Sequence, residues 1–471
     1  MLKLKYILIG SLALTSLFSS CQKQTFEQPY AYLEPEDAFL NADRIGKTAV
    51  GMYDALQNRD FLGGRAFIYA DIRAIDCSAG PYFGSVPNYE NLTSENLMVE
   101  ASFVGGYRTV YEANFFLKNI AKYTGRAKPE DEAKYIAEAK FIRALSYFYL
   151  VNLWAQPYKF TNDGSHPGVA LVLNATDPSK IFDASNQVPR NSVKEVYDQI
   201  IKDLNEALPS LPKVPAAAAS RSISNVGRAT QGAVNGLLAR VYLYKQDYAK
   251  ALEYSNKVIS SNEYSLVPNI KNIFTDYTTM ESMFSVAHSG GDNPNTNHSL
   301  SQHYSPNGRA DIQVSSSFES LMSENDARRK DLIIEDDGLW NGKFSSIGDW
   351  VPVLRFSEIL LIKAEALANL ENGTNVNSEA LALVNQVRHR SDPSTNVTAT
   401  NKNELIAAVL KERRLELAFE GQGIYEFLRT GRNIPAHGIF NEQVWGSNKV
   451  VFPFPYSETQ QNPNLVQNPG Y

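Results

Sequence analysis

The chain has 471 residues, 43% of them apolar, which is enough for one large domain or for two to three average ones with a sizeable core. Its 45 basic and 51 acidic side chains give a formal charge of −6, which argues against a ligand recognised through a phosphate backbone. Cys77 is the only cysteine besides Cys21, so the fold must depend on packing rather than on a disulfide framework.

The N-terminus has the features of a secretory signal peptide. Two lysines precede an apolar run over residues 6–18, which is too short to span a bilayer comfortably. Cys21 follows the expected cleavage point directly, as in the signals of lipoproteins. We therefore expect residues 1–20 to be removed, Cys21 to carry the lipid that attaches the protein to a membrane, and residues 21–35 to form a tether. An ordinary signal peptide with an incidental cysteine is the alternative.

Helical periodicity covers much of the remaining chain. Helices are predicted over 36–58, 99–123, 131–155, 192–208, 228–261 (a hairpin), 356–371, 377–391 and 403–420. In 131–155, two adjacent apolar stripes predict contacts on two sides, as in a stack of helices. Residues 228–261 have the spacings of a tetratricopeptide unit, with a looser copy at 364–387. The expected fold class is mostly α: a tetratricopeptide-like helical-repeat scaffold with a loop-rich region that includes short strands.

Three segments interrupt the helical pattern. Residues 59–98 place aromatic side chains among glycine and proline residues, which predicts an ordered loop region. Residues 265–350 contain a stretch rich in Gly, Asn, Pro and Ser, and short strands are expected around 283–287. The last 20 residues hold four prolines, which predicts an extended tail on the surface.

The sequence lacks the motifs of common enzymes. Its six histidines form no HExxH pair, and no GxSxG segment is present. We predict no catalytic residue, no metal site and no cofactor, although two loop carboxylates at a suitable separation can support glycoside cleavage. The charged cluster of Glu412, Arg413 and Glu416 is interpreted as a set of ion pairs at a helix junction.

Several segments, taken together and in order, resemble the SusD/RagB family of surface lipoproteins. They are AKFIRALSYFYLVNLWAQP (139–157), GRATQGAVNGLLARVYLYKQDYAKA (227–251), VPVLRFSEILLIKAEA (351–366), VNQVRHR (384–390), ERRLELAFEGQ (412–422), YEFLRTGR (425–432) and, within 452–471, FPFPYSE and NPNLVQNPGY. The resemblance implies a single domain over 36–471. Its N-terminal half is expected at 36–265, and its loop-rich C-terminal half at 266–471.

The resemblance also implies a function. The family's members capture a nutrient, commonly an oligosaccharide or polysaccharide, without catalysis and pass it to a SusC-like TonB-dependent transporter. The resemblance implies that the protein is attached to the outer membrane by the lipid on Cys21 and faces the cell exterior. No nucleic-acid partner is expected. Two alternatives remain: a secreted glycan-degrading enzyme that uses loop carboxylates, and a repeat scaffold that holds a peptide.

A sugar-binding surface needs flat aromatic rings for C–H faces and polar groups for hydroxyls, on loops held by a rigid frame. The predicted loop regions 59–98 and 265–350 both offer such residues. The resemblance places an acidic ligand loop near the first of these two regions. The predicted ligand-binding residues are Asp71, Arg73, Asp76, Tyr82, Phe83, Asn88, Tyr89, Asn293, His303, Tyr304, Arg309 and Trp340. Trp154 and Trp350 lie in or beside the scaffold motifs and are predicted to be core residues.

Overall fold

The computed structural model describes residues 34–180 and 183–471. The predicted signal peptide, Cys21 and nearly all of the predicted tether lie outside the described residues. Within the described part, no helix combines the length and the apolar character needed to cross a membrane.

Helices form the frame of the molecule. In the described residues they are α1 (Pro35–Ala38), α2 (Ala42–Leu56), α3 (Arg65–Ile72), α4 (Leu97–Lys122), α5 (Pro129–Trp154), α6 (Val193–Ala207), α7 (Ser224–Gly227), α8 (Gln231–Tyr244), α9 (Tyr248–Ser260), α10 (Asn272–Thr275), α11 (Leu300–Tyr304), α12 (Ser316–Glu319), α13 (Ala327–Leu332), α14 (Phe356–Leu370), α15 (Ser378–Ser391), α16 (Lys402–Leu417), α17 (Gly423–Leu428) and α18 (Tyr456–Gln461). The mostly α fold class is therefore confirmed.

Short antiparallel pairs account for the strands of the described residues. The strands are β1 (Cys77–Ala79), β2 (Ser282–Val286), β3 (Ile312–Val314), β4 (Ile333–Glu335), β5 (Leu339–Asn341) and β6 (Val351–Arg355). Strand β1 pairs with β3, β2 with β6, and β4 with β5. In the first pair Cys77 lies opposite Val314, so this ladder joins the two predicted loop regions.

The long helices stack in sequence, as the repeat spacings predict. Helix α5 packs between α4 and α6, α8 forms a hairpin with α9, and α9 packs on α14, which pairs with α15. In the α8–α9 hairpin, the rings of Tyr242 and Tyr254 stack at 5.4 Å. A Cβ at Gly232 would lie 2.1 Å from the Tyr264 hydroxyl, so this close approach requires glycine. The hairpins at 228–261 and 364–387 are both present.

Two expectations about the irregular segments were wrong in part. The loop predicted over 59–98 contains α3, whose eight residues are all buried, so no polar face marks it as a helix in the sequence. The predicted surface tail is wrong for its first residues: Phe452 and Phe454 are buried, and the Trp154 Nε1–H donates to the Pro453 carbonyl at 2.9 Å. Most of residues 456–471 are exposed or half-buried, as predicted. Trp154 and Trp350 are core residues, as predicted.

A network of charged side chains lies inside the C-terminal half. Its cations are Arg328, Lys343, Arg355, Arg388 and Arg390, and its anions are Glu281, Asp326, Glu412, Glu416 and Glu420. The interpretation of Glu412 and Glu416 as paired charges is confirmed, but their partners come from β6, α13 and α15. Arg413 instead pairs with Glu426 of α17. Burial alone would raise the pKa of Glu416, but the guanidinium groups of Arg390, Arg355 and Arg328 hold it well below its usual value.

Candidate functional site

Several predicted ligand-binding residues of the first loop region are part of the frame. Asp71 is 3% exposed, and its carboxylate accepts from the Gly421 N–H and the Tyr304 hydroxyl at 3.0 Å each. Gly421 has φ +70°, and a Cβ there would meet the Phe67 ring at 2.5 Å, so only glycine brings this N–H to Asp71. Burial raises the pKa of Asp71 to about 7.

Arg73 and Tyr89 are also buried rather than exposed. The Arg73 guanidinium lies between the rings of Tyr89 and Phe452, at 4.5 and 4.8 Å. It donates to the carbonyls of Val86 and Lys449, and the Tyr89 hydroxyl donates to the Arg73 carbonyl. Because both terminal nitrogens of Arg73 and the Tyr89 hydroxyl bond to carbonyls of the frame, the expectation that these two side chains face solvent is wrong.

The other buried predictions have similar surroundings. Asp76 forms an ion pair with Arg414, and the Trp340 Nε1–H donates to the Asp336 carbonyl at 2.8 Å. Tyr304 is fully buried beside Asp71. All three residues are buried, and Asp76 also lines an open pocket beside α16.

Asn88 and Asn293 are half-buried and bond within their own turns. The Asn88 Oδ1 accepts from the Glu90 and Asn91 amides, and the Asn293 Nδ2 donates to the Ser289 and Gly290 carbonyls.

Four predicted residues, two from each loop region, meet in one place. The Tyr82 ring lies 4.1 Å from the Arg309 guanidinium and 5.2 Å from the ring of His303, which in turn lies 5.0 Å from Phe83. The β1–β3 ladder causes this meeting, and it continues through the Gly80 N–H, which donates to the Asp311 carbonyl at 2.6 Å. Phe83 and His303 are buried beneath, whereas Tyr82 is half-buried and Arg309 is exposed.

Hydrogen bonds hold this cluster in one arrangement. Arg309 donates from Nε to Asp311 at 2.8 Å and from Nη1 to the Asn297 side chain at 3.1 Å. His303 lies 2.9 Å from both the Asp311 carboxylate and the Asn297 carbonyl. We call the solvent-facing parts of Tyr82, Asn297, Arg309 and Asp311 the Tyr82 face.

An open polar pocket is connected to the Tyr82 face through one contact. Its volume is about 560 Å³, and its polar lining includes Asn58, Arg59, Asp60, Arg108 and Glu112. Asp60 joins the two, since its carboxylate lies 3.1 Å from His298 Nε2, next to Asn297 in the chain.

Sequence reasoning missed Arg65, Asn297 and the pocket residues. Asn297 lies in the stretch rich in Asn, and the loop-like composition of that stretch could have indicated it. No sequence signal indicated Arg65, because it belongs to helix α3, which the sequence did not reveal. Its Nη2 donates to the Tyr82 hydroxyl at 2.7 Å, while Nε and Nη1 have no partner among the described residues.

The buried position of His303 has a consequence for pH dependence. Burial lowers the pKa of its imidazole to about 4, whereas an imidazole in an unfolded chain titrates near pH 6.5. Between these values only the unfolded state binds this proton, so the contribution of His303 to stability falls as the pH drops from about 6.5 to 4.

The variant His303→Gln removes this proton uptake. Between pH 7 and pH 5 we expect its free energy of unfolding to fall by about 2 kcal/mol less than that of the unaltered protein. Urea unfolding at the two pH values measures the difference. Equal losses in both proteins would contradict the assignment.

Comparison with known proteins shows which family has this architecture. A model of the SusD family matches residues 340–471, and a model described as "Starch-binding associating with outer membrane" matches residues 35–243. SusD-like protein P38 from Formosa agariphila is 24% identical over 547 residues, which span 100% of each chain.

Solved structures agree with the family models. A putative sugar binding protein from Bacteroides vulgatus is 26% identical, with a TM-score of 0.80 over 92% of this chain and 99% of its own. Surface glycan-binding protein A from Bacteroides thetaiotaomicron, in complex with laminarihexaose, shares the fold at 20% identity, with a TM-score of 0.71 over 90% of this chain and 99% of its own. Since the two family models cover most of both halves of the frame and the relatives align along its length, the chain belongs to the SusD/RagB family.

Proposed function

We propose that this protein binds a nutrient glycan, an oligosaccharide or polysaccharide, at the Tyr82 face and the adjoining pocket, without cleaving it. One observation carries the proposal: a half-buried tyrosine, an exposed arginine and an exposed asparagine from two distant chain segments meet on one surface and are fixed by hydrogen bonds. Side chains that are already held in place lose little conformational entropy when a ligand binds.

The chemistry of the Tyr82 face suits a sugar. Arg309 covers one face of the Tyr82 ring, and the part of the ring that stays exposed beside it offers apolar surface to the C–H groups of a pyranose. The Arg309 Nη2 makes no hydrogen bond to the described residues and is available to a ligand hydroxyl. The neighbouring pocket adds both carboxylate and guanidinium groups for further hydroxyls.

Names of similar proteins support the same ligand class. One is described as a putative sugar binding protein, another was solved with laminarihexaose, and one matching family model is described as starch-binding. We further infer attachment to the outer membrane through lipid on Cys21, an orientation toward the cell exterior, and delivery of the glycan to a SusC-like TonB-dependent transporter. Residues 36–471 would then act as one domain.

Calorimetric titration of the mature chain against a panel of glycans, including laminarihexaose, tests this function. We expect heat of binding with at least one glycan and no change in its length by chromatography. Released sugars would favour the enzyme alternative, and binding of peptides with no glycan response would favour the scaffold alternative. Co-purification of a large outer-membrane β-barrel protein with the anchored chain would test the delivery step.

A further inference from the structure

A second pocket is formed by α16, α17 and the segment that follows α3. Its volume is about 510 Å³, which lies within the range of small-molecule sites. It shares no lining residue with the Tyr82 face or the polar pocket beside it. Its walls are mostly apolar, and they include Ile75, Leu321, Ile406, Leu410, Phe419 and Phe427.

Helix α16 is apolar on two sides, and only one side is fully buried in the described structure. On the inner side, Leu405 and Val409 are 0% exposed, and α16 packs on α14. On the pocket side, Ile406 and Leu410 remain half-buried and Ala407 is exposed. A helix with a second apolar face is expected to have a second contact, and here that contact faces an open pocket.

One wall of the pocket contains a buried cation with an unpaired hydrogen-bond donor. Arg413 lines the pocket and is 0% exposed. It donates to Glu426 from Nη2 at 2.8 Å, but its Nη1 has no partner among the described residues. Because this atom is itself buried, Arg413 acts on a ligand through its positive charge rather than through a direct hydrogen bond.

The available charge around the pocket is positive. Each carboxylate in the lining is already engaged: Asp71 accepts backbone and tyrosine donors, Asp76 pairs with Arg414, and Glu426 pairs with Arg413. Lys411 and Arg432 also belong to the lining and are exposed, and neither forms an ion pair with another described residue. Arg432 donates from Nε to the Thr430 hydroxyl and from Nη2 to the Glu426 carbonyl, which leaves its Nη1 for a ligand. A ligand with one negative group therefore complements the pocket.

We propose that this pocket binds an amphipathic monocarboxylate, with its apolar body against Ile406, Leu410 and Phe419 and its carboxylate toward the exposed cations Lys411 and Arg432. Carboxylate is the natural partner of a guanidinium, whose N–H groups match its two oxygens. A sugar fits this pocket poorly, because the apolar walls would leave most of its hydroxyls without partners. The site is independent of the proposed glycan site.

Octanoate is a suitable probe, with octan-1-ol as the neutral ligand of equal length. In calorimetric titration below the micellar concentration, we expect octanoate to bind the mature chain at least about tenfold more tightly than octan-1-ol. Leu410→Asp, which places a negative charge in the apolar wall, should weaken octanoate binding at least about tenfold. Lys411→Glu, on an exposed position, is a second variant that should weaken octanoate but not octan-1-ol.

Leu97→Asp is the matched control, since Leu97 is a 77% exposed leucine on α4 outside the pocket. Full octanoate binding in this control, with loss in the two pocket variants, supports the proposal. No octanoate binding to the unaltered protein, equal affinity for octanoate and octan-1-ol, or equal loss in the Leu97→Asp control would each overturn it. Glycan binding by Leu410→Asp should be unchanged, which separates a failure of this proposal from a failure of the glycan proposal.

Discussion

The variant Arg355→Met is expected to lower the free energy of unfolding by about 3–5 kcal/mol, because it leaves buried carboxylates without their counter-charge. Arg355 is 2% exposed and donates to Glu281, Glu416 and Glu420 at 2.7–2.9 Å. Methionine has a similar length but donates no hydrogen bond. The carboxylates must therefore remain as unpaired charges or take up protons.

Urea unfolding followed by circular dichroism measures this loss. The control is Arg44→Met, which removes a 43% exposed arginine whose carboxylate partner, Asp37, is 3.8 Å away. We expect the control to change the free energy by less than about 1 kcal/mol. A loss below that limit for Arg355→Met would show that the network does not depend on this residue.

The second large effect is expected at the proposed glycan site. Tyr82→Ala removes the ring that Arg309 covers, and Arg309→Ala removes the guanidinium and its bond to Asn297. Each change should weaken binding of the best glycan of the panel at least about tenfold, or about 1.4 kcal/mol. Because Arg309 is exposed, we expect little change in stability for Arg309→Ala. Tyr82→Ala also removes the hydroxyl that accepts from the buried Arg65, so its unfolding is measured beside its affinity.

Tyr456→Ala is the matched control for this experiment. Tyr456 is 51% exposed and lies in α18, outside the proposed site. Its replacement should leave affinity unchanged. Arg309→Lys keeps the charge without the planar group, so an intermediate affinity would indicate that stacking contributes. Full affinity in both Tyr82→Ala and Arg309→Ala would place the glycan elsewhere on the protein.

The helical frame could be predicted from the sequence because helix periodicity is a local property. The segments predicted over 131–155 and 377–391 differ from α5 and α15 by two residues or fewer at each end. Helix α3 escaped prediction because a helix that is buried on every side has no polar face to reveal its period.

The site was predicted in part, for a physical reason. Loop-like sequence around Asp71 and Arg73 does not reveal whether these polar side chains face solvent. The answer depends on Gly421 and Lys449, which lie 350 and 376 positions later in the chain. Tyr82 and Arg309 could be predicted as candidate site residues because aromatic and cationic residues in loops are a common property of binding sites. Their juxtaposition depends on the β1–β3 ladder, whose strands have only three residues each.

The way in which the C-terminal segment enters the core has a consequence for biosynthesis. The Pro453 carbonyl accepts from the Trp154 indole, and the Asn468 Nδ2 donates to the Trp154 carbonyl at 2.7 Å, across 299 and 314 positions. The end of α5 therefore cannot complete its packing until residues 453–468 have been synthesised. A chain that stops before this segment leaves the Trp154 indole and its neighbouring rings without their cover, so the fold itself distinguishes a polypeptide that carries the segment from one that lacks it.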